Sequence, residues 1–213
     1  MVDIIDAAPT GRAKCRGCGR PIAKGEMRFG ERLPNAYGEG EASFWFHLAC
    51  GACMRAEKFA TAWAQTDLTP IDRELIEGLN ALARQFPRLE RFAGVERASS
   101  GRAQCRACRE LIEKGSWRVS LQIYEDGRMN PIGYVHVACA SEYFGTAEFL
   151  RVMASLESGL SPADLAEITR LGSVPRLAKA RPEHMESSNE GQSPSSSEDS
   201  SESDARRSEP KTG

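Results

Sequence analysis

The sequence predicts two small α+β modules in tandem, each a short antiparallel sheet followed by helices, with a disordered C-terminal tail. Three observations predict this. A cysteine–histidine pattern occurs twice, as Cys15-x2-Cys18 with His47-x2-Cys50 and as Cys105-x2-Cys108 with His136-x2-Cys139. The flanking sequence repeats too: Gly11-Arg12-Ala13-Lys14-Cys15 returns 90 residues later as Gly101-Arg102-Ala103-Gln104-Cys105. Finally, residues 180–213 are polar, acidic and Ser-rich, with almost no apolar side chain to offset chain entropy.

The elements follow in order. Met27-Arg28-Phe29 and Trp117-Arg118-Val119-Ser120-Leu121 alternate as strands do. Ser43-Phe44-Trp45-Phe46 and Ile132-Gly133-Tyr134-Val135 lead into the histidines as second strands, with Gly- and Asn-rich loops between. Trp45 is expected in the core, as large aromatics usually are. After the last cysteine, Ala52, Ala56, Phe59 and Trp63 share a helical face, as Phe144, Ala147, Leu150 and Met153 approximately do. Thr69-Pro70 and Ser161-Pro162 read as an N-cap and first helical position. The helices they open present Ile71, Leu75, Leu79, Leu82 and Phe86, and Leu165, Ile168 and Leu171. The modules therefore span 11–86 and 101–172, with the tail over 180–213.

Two cysteines, a histidine and a third cysteine supply four N/S ligands, a full tetrahedral shell for Zn2+. The spacing between ligand pairs is 28 residues in the first module and 27 in the second. One ion per module is expected, held by Cys15, Cys18, His47 and Cys50, and by Cys105, Cys108, His136 and Cys139. A closed shell leaves no position for water or substrate, so the metal is structural and no catalytic residue is assigned. The odd count of 7 cysteines argues against a complete disulfide framework. Cys53 is either an alternative ligand or a buried thiol, and a buried thiol suits its helical position better.

The net charge is −2, yet residues 11–50 carry 7 basic and 4 acidic side chains, and residues 101–140 carry 6 and 4. That bias is too small for a protein that coats nucleic acid nonspecifically. No apolar run approaches the length of a membrane span, and the first residues lack the basic start and apolar stretch of a signal peptide. An intracellular protein is expected: in the nucleus of a eukaryote, or in the cytoplasm and nucleoid of a bacterium.

Gly-Arg-Ala-x-Cys-x-x-Cys, the Lys-Gly turns Lys24-Gly25 and Lys114-Gly115, Arg28 and Arg118, and an aromatic two residues before His-x-x-Cys together carry a resemblance. Residues 11–50 and 101–140 resemble the PARP-type zinc finger, found at the N-terminus of poly(ADP-ribose) polymerase and on a DNA ligase. Fingers that read base sequence place only about a dozen residues between their ligand pairs. The resemblance implies recognition of DNA strand breaks by structure, with arginines gripping phosphates and apolar loop residues capping exposed base pairs. Transferred by position, the arginines are Arg12, Arg28, Arg102 and Arg118; Arg12 and Arg102 could instead pack structurally. The capping positions depart from the family: they hold Gly38 and Ala42 in the first module, and Gly127 and Pro131 in the second. Tyr37, Met129 and Ile132 lie close enough to substitute.

The expected function is zinc-dependent DNA binding that recognises DNA structure such as breaks or ends, with little sequence preference and no enzymatic activity. DNA-repair, nucleoid or chromatin proteins are expected as further partners; a membrane or a small-molecule substrate is not. The alternative is a zinc-stabilised protein-interaction module, which suits the balanced charge of residues 1–172. The tail is either a solubilising segment or a competitor with nucleic acid for the basic fingers.

Overall fold

The computed structural model describes residues 2–35, 38–67, 72–125, 127–156 and 159–174, all within one compact unit. Tyr37, the Thr69-Pro70 helix start, Ile71, His184 and the tail over 180–213 lie outside the described residues.

Each module is a three-stranded antiparallel sheet with helices behind it. In the first, β1 (Ile4–Ala7), β2 (Met27–Pro34) and β3 (Glu41–His47) lie in the order β1-β2-β3. In the second, β4 (Phe92–Arg97), β5 (Trp117–Glu125) and β6 (Arg128–His136) repeat that order. Corresponding residues pair in both sheets: Arg28 with His47, and Arg118 with His136. The alternation along β2 sends Phe29 into the core, while Arg28 and Gly30 share the opposite face with Trp45.

The first strand of each sheet was not foreseen. Ile4–Ala7 is only four residues long, and Phe92–Arg97 has glycine and charge within it, so neither alternates cleanly. Both obey the 90-residue period, however. The Ala8 amide donates to the Glu26 carbonyl at 2.9 Å, and the Ala98 amide to the Ser116 carbonyl at 2.9 Å.

The helix expected after each last ligand is two helices. α1 (Leu48–Met54) and α2 (Ala56–Ala64) break at Arg55, whose φ of −133° and ψ of 43° leave the helical region. α4 (Val137–Phe144) ends at Gly145 with φ 78°, whose amide donates to the Ser141 carbonyl, and α5 (Phe149–Leu156) follows. That break corrects the expected face in part: Phe144 and Met153 are buried, but Ala147 is exposed, and Phe149, Val152 and Leu156 complete the buried side. α3 (Arg73–Gln85) buries Ile76, Leu79, Asn80 and Ala83, leaving Leu75 exposed. The start of α6 (Pro162–Ser173) is as expected. The Asp164 amide donates to Ser161 Oγ at 3.1 Å, and the Ser161 amide returns a bond to the Asp164 carboxylate.

The buried side chains of both modules form one hydrophobic cluster. Phe29, Phe46 and Phe59 anchor the first module's share, and Phe92, Phe144 and Phe149 the second's. Direct links join the two. The Phe46 and Tyr124 rings meet edge-on at 5.6 Å, and Arg20 Nη2 donates to the Leu156 carbonyl at 2.9 Å. Sharing apolar surface is a physical remedy for modules too small to bury much alone. Among the described residues, no helix is long and apolar enough to cross a membrane.

Candidate metal centres and nucleic-acid interface

Each metal site is built from three elements. Cys15 and Cys18 sit on a tight turn: the Gly19 amide donates to the Cys15 carbonyl at 2.9 Å and the Cys15 amide to the Arg20 carbonyl at 2.8 Å. His47 ends β3 and is the N-cap residue of α1, which carries Cys50. The second site repeats this with Cys105 and Cys108 on the turn, His136 ending β6 and Cys139 in α4.

Within each group of four, the ligand atoms lie within 4.8 Å of one another. A tetrahedral zinc shell, with Zn–S of about 2.3 Å and Zn–N of about 2.0–2.1 Å, separates its ligand atoms by roughly 3.5–3.8 Å. Cys18 Sγ lies 3.3 Å from His47 Nδ1, and Cys108 Sγ 3.4 Å from His136 Nδ1, slightly inside that scale. Nδ1 is therefore the ligating nitrogen. Nε2 lies 3.1 Å from the Pro21 carbonyl in the first site and 3.2 Å from the Leu111 carbonyl in the second. A carbonyl can only accept, which places the proton on Nε2 and leaves the Nδ1 lone pair for the metal. The histidine amides donate to the Cys15 and Cys105 sulfurs at 3.4 Å.

Within each site the thiols divide one proton unevenly. The Cys15 and Cys50 thiols draw Cys18 far below the usual thiol range while Cys15 and Cys18 push Cys50 above it, and the Cys139 thiol draws Cys105 down to about 4 while Cys139 itself rises. The Cys15 and Cys18 sulfurs push the His47 imidazole up to about 10. Groups that share protons this closely are ones a divalent cation can deprotonate together. Two Cys3His groups can thus each hold a metal ion, one per module. Cys53 stands apart from both. It is fully buried in α1, and burial pushes its thiol up to about 12, as expected of an apolar packing role.

The turns differ at one residue. Gly19 has φ 72°, but Arg109 occupies the same place with φ 64°. A side chain there costs about 1–2 kcal/mol, against the roughly 0.5–1 kcal/mol of backbone entropy that glycine loses on folding. Arg109→Gly is expected to raise stability by about 1 kcal/mol or less, read as a slightly higher melting temperature in calorimetry of the zinc-loaded protein.

The structure separates the arginines into two kinds. Arg12 and Arg102 are exposed on the segments leading into Cys15 and Cys105. Arg28 and Arg118 are buried, with 6% and 5% of their surface exposed. Arg28 Nε donates to Asp6 Oδ1 at 2.8 Å, and its guanidinium lies 3.3 Å above the Trp45 ring. Arg118 pairs with Glu96 and lies 3.5 Å above the Tyr134 ring. Trp45, expected in the core, is half-buried and acts as a platform for this cation. Asp6 and Glu96 escaped the sequence reading, although they are 90 residues apart and so belong to the repeat. Met129 and Ile132 are half-buried and pack against the common core.

Comparison with known proteins agrees with this geometry. Residues 6–86 match the family model described as the Poly(ADP-ribose) polymerase and DNA-Ligase Zn-finger region. The chain is similar to Poly [ADP-ribose] polymerase 1 of Oryza sativa subsp. japonica, at 27% identity over 145 residues. It is also similar to Poly [ADP-ribose] polymerase of Drosophila melanogaster, at 28% identity over 136 residues. These alignments cover 63% and 57% of this chain, but only 14% of each relative. With the two Cys3His groups, three-stranded sheets and repeated arginines in place, residues 6–86 are a zinc-finger region of the poly(ADP-ribose) polymerase and DNA-ligase type, and the second module repeats its ligand set.

Proposed function

We propose that this protein binds DNA through its backbone, recognising structure such as a break or an end rather than base sequence. Two zinc-stabilised fingers, over 11–86 and 101–172, carry the activity, and the zinc is structural. The observation that carries the reading is the recurrence of an exposed arginine, Arg12 and Arg102, at the same point before both cysteine-bearing turns. Guanidinium groups fork onto phosphate oxygens, and such contacts position a protein without specifying sequence. Lys14 and Arg16, and Arg106 and Arg109, are exposed on the same turns and extend the positive surface.

Arg28 and Arg118 take a secondary part in this reading. A phosphate reaches their guanidinium groups only in competition with Asp6 and Glu96, so their main effect is on the sheet. Met129 and Ile132 are the apolar residues that would meet an exposed base pair, since stacking requires a bulky apolar face. No catalytic role is assigned: both ligand shells are closed, and the family match lies in a zinc-finger region alone. Repair, nucleoid or chromatin proteins are the partner class this implies, in the nucleus of a eukaryote or the nucleoid of a bacterium. One observation favours a protein-interaction module instead: two of the four arginines are already engaged by carboxylates of the chain itself.

The test is Arg12→Ala with Arg102→Ala. Affinity for unrelated DNA sequences should fall roughly 100-fold or more, since two charge-assisted contacts of about 1.5–3 kcal/mol each are lost. The slope of log affinity against log salt should flatten by about 2, near one unit per phosphate contact. Unchanged affinity and slope, beside a salt-insensitive protein partner, would favour the interaction module.

A further inference from the structure

We infer that the end of the β5–β6 hairpin is a latch. It seats on the first finger, adds to the contacts that hold the two fingers together, and masks the start of β6, which carries Met129 and Ile132. The masking rests on the DNA-binding reading; the latch itself does not.

Gly127 is buried although it stands at the end of a hairpin, where residues normally face water. It takes φ +77°, and a Cβ built on it would run into the Phe44 ring of the first finger. Beside it, the Tyr124 ring meets Phe46 edge-on at 5.6 Å, and the Arg55 guanidinium lies 4.5 Å over the Tyr124 ring. Arg55 is not a loose cation. It is held at 2.8 Å by Glu31, which is fully buried and also paired with Lys58. Met129 pairs with Tyr124 across the hairpin, and both pack against the common core.

The arrangement is one-sided. The residue 90 positions after Glu31 is Leu121, so only the first finger has the carboxylate that fixes the seat. The corresponding loop of the first finger carries Gly38 and Gly40, both exposed. The first finger thus supplies the seat and the second the tongue. With the latch closed, DNA meets the first finger's loop and the arginines of both turns. Met129 and Ile132 take part only after it opens.

Gly127→Val tests this, because the bulk and the unfavourable φ both oppose seating. Tyr124→Ala with Phe44→Ala is the second route to the open state, and two zinc ions per chain certify the fold of either variant. NMR relaxation of the zinc-loaded wild-type protein should give one rotational correlation time for both fingers. The variants should keep that single time, because the shared apolar cluster and the Arg20–Leu156 bond still join the fingers. They should show at least tenfold faster amide exchange over residues 129–133 and severalfold tighter binding to blunt-ended DNA. Fingers that tumble independently in the wild type, or variants whose exchange matches it, overturn the latch. Faster exchange with unchanged DNA affinity overturns the masking. Absence of DNA binding in all proteins, with the exchange as expected, sinks the functional reading and leaves the latch standing.

Discussion

Chelation of zinc is expected to unfold both fingers together, with loss of far-ultraviolet circular dichroism and of the thermal transition. The ligands are what hold the turn, the last strand and the following helix of each finger to one point. Zinc binding in such sites is worth about 10–16 kcal/mol in small peptides. A typical domain has a net stability of only about 5–15 kcal/mol, so the metal term alone can exceed the whole margin. Replacing one ligand, as in Cys15→Ser, should therefore lower the zinc content to one per chain. It should also loosen the other finger, because the two share one apolar cluster and Arg20 bridges Cys18 Sγ to the Leu156 carbonyl. Hydrogen exchange resolved by peptide checks this: increased exchange confined to residues 4–64 would show that the fingers fold separately. Because the thiols must shed protons to bind metal, zinc should be lost more readily as pH falls.

Glu31→Ala should produce the largest loss of stability outside the metal sites, about 3–5 kcal/mol, the usual cost of breaking a buried pair from one side. Glu31 has no exposed surface, and its removal strands Arg55 beneath Tyr124. For a unit of this size the melting temperature should fall by roughly 10 °C. Glu31→Leu with Arg55→Met should recover much of this, since an apolar pair of similar volume avoids the desolvation cost. The pH dependence has a definite sign. Burial opposes ionisation of Glu31, but Arg55 and Lys58 outweigh it and hold the carboxyl below its usual value of 4.5. The pair's contribution is therefore complete above that value and lost as pH falls through the lower folded one. A melting temperature unmoved by Glu31→Ala would contradict the assignment of this pair.

The metal sites were the most legible part of the chain, because ligand identity and spacing state the chemistry directly. The strands beside the ligands were legible through alternation, and the Ser161-Pro162-Ala163-Asp164 start through its capping chemistry. Three features were not, each for a physical reason. β1 and β4 are short and gain their stability from pairing with β2 and β5, which local sequence does not display. The break at Arg55 accompanies a tertiary ion pair with Glu31, which overrides the helical periodicity running from Ala52 to Trp63. The burial of Arg28 and Arg118 depends on Asp6 and Glu96 across the sheet and on Trp45 and Tyr134 beneath them. The repeat contains that information, but only when it is followed back to residues 4–8 and 94–98.

The most direct measurement is fluorescence anisotropy of the zinc-loaded protein with three labelled DNAs of equal length: intact with capped ends, nicked, and blunt-ended. The account predicts salt-sensitive binding to all three, tighter for the nicked or blunt-ended DNA. No binding to any of them at low salt would contradict it.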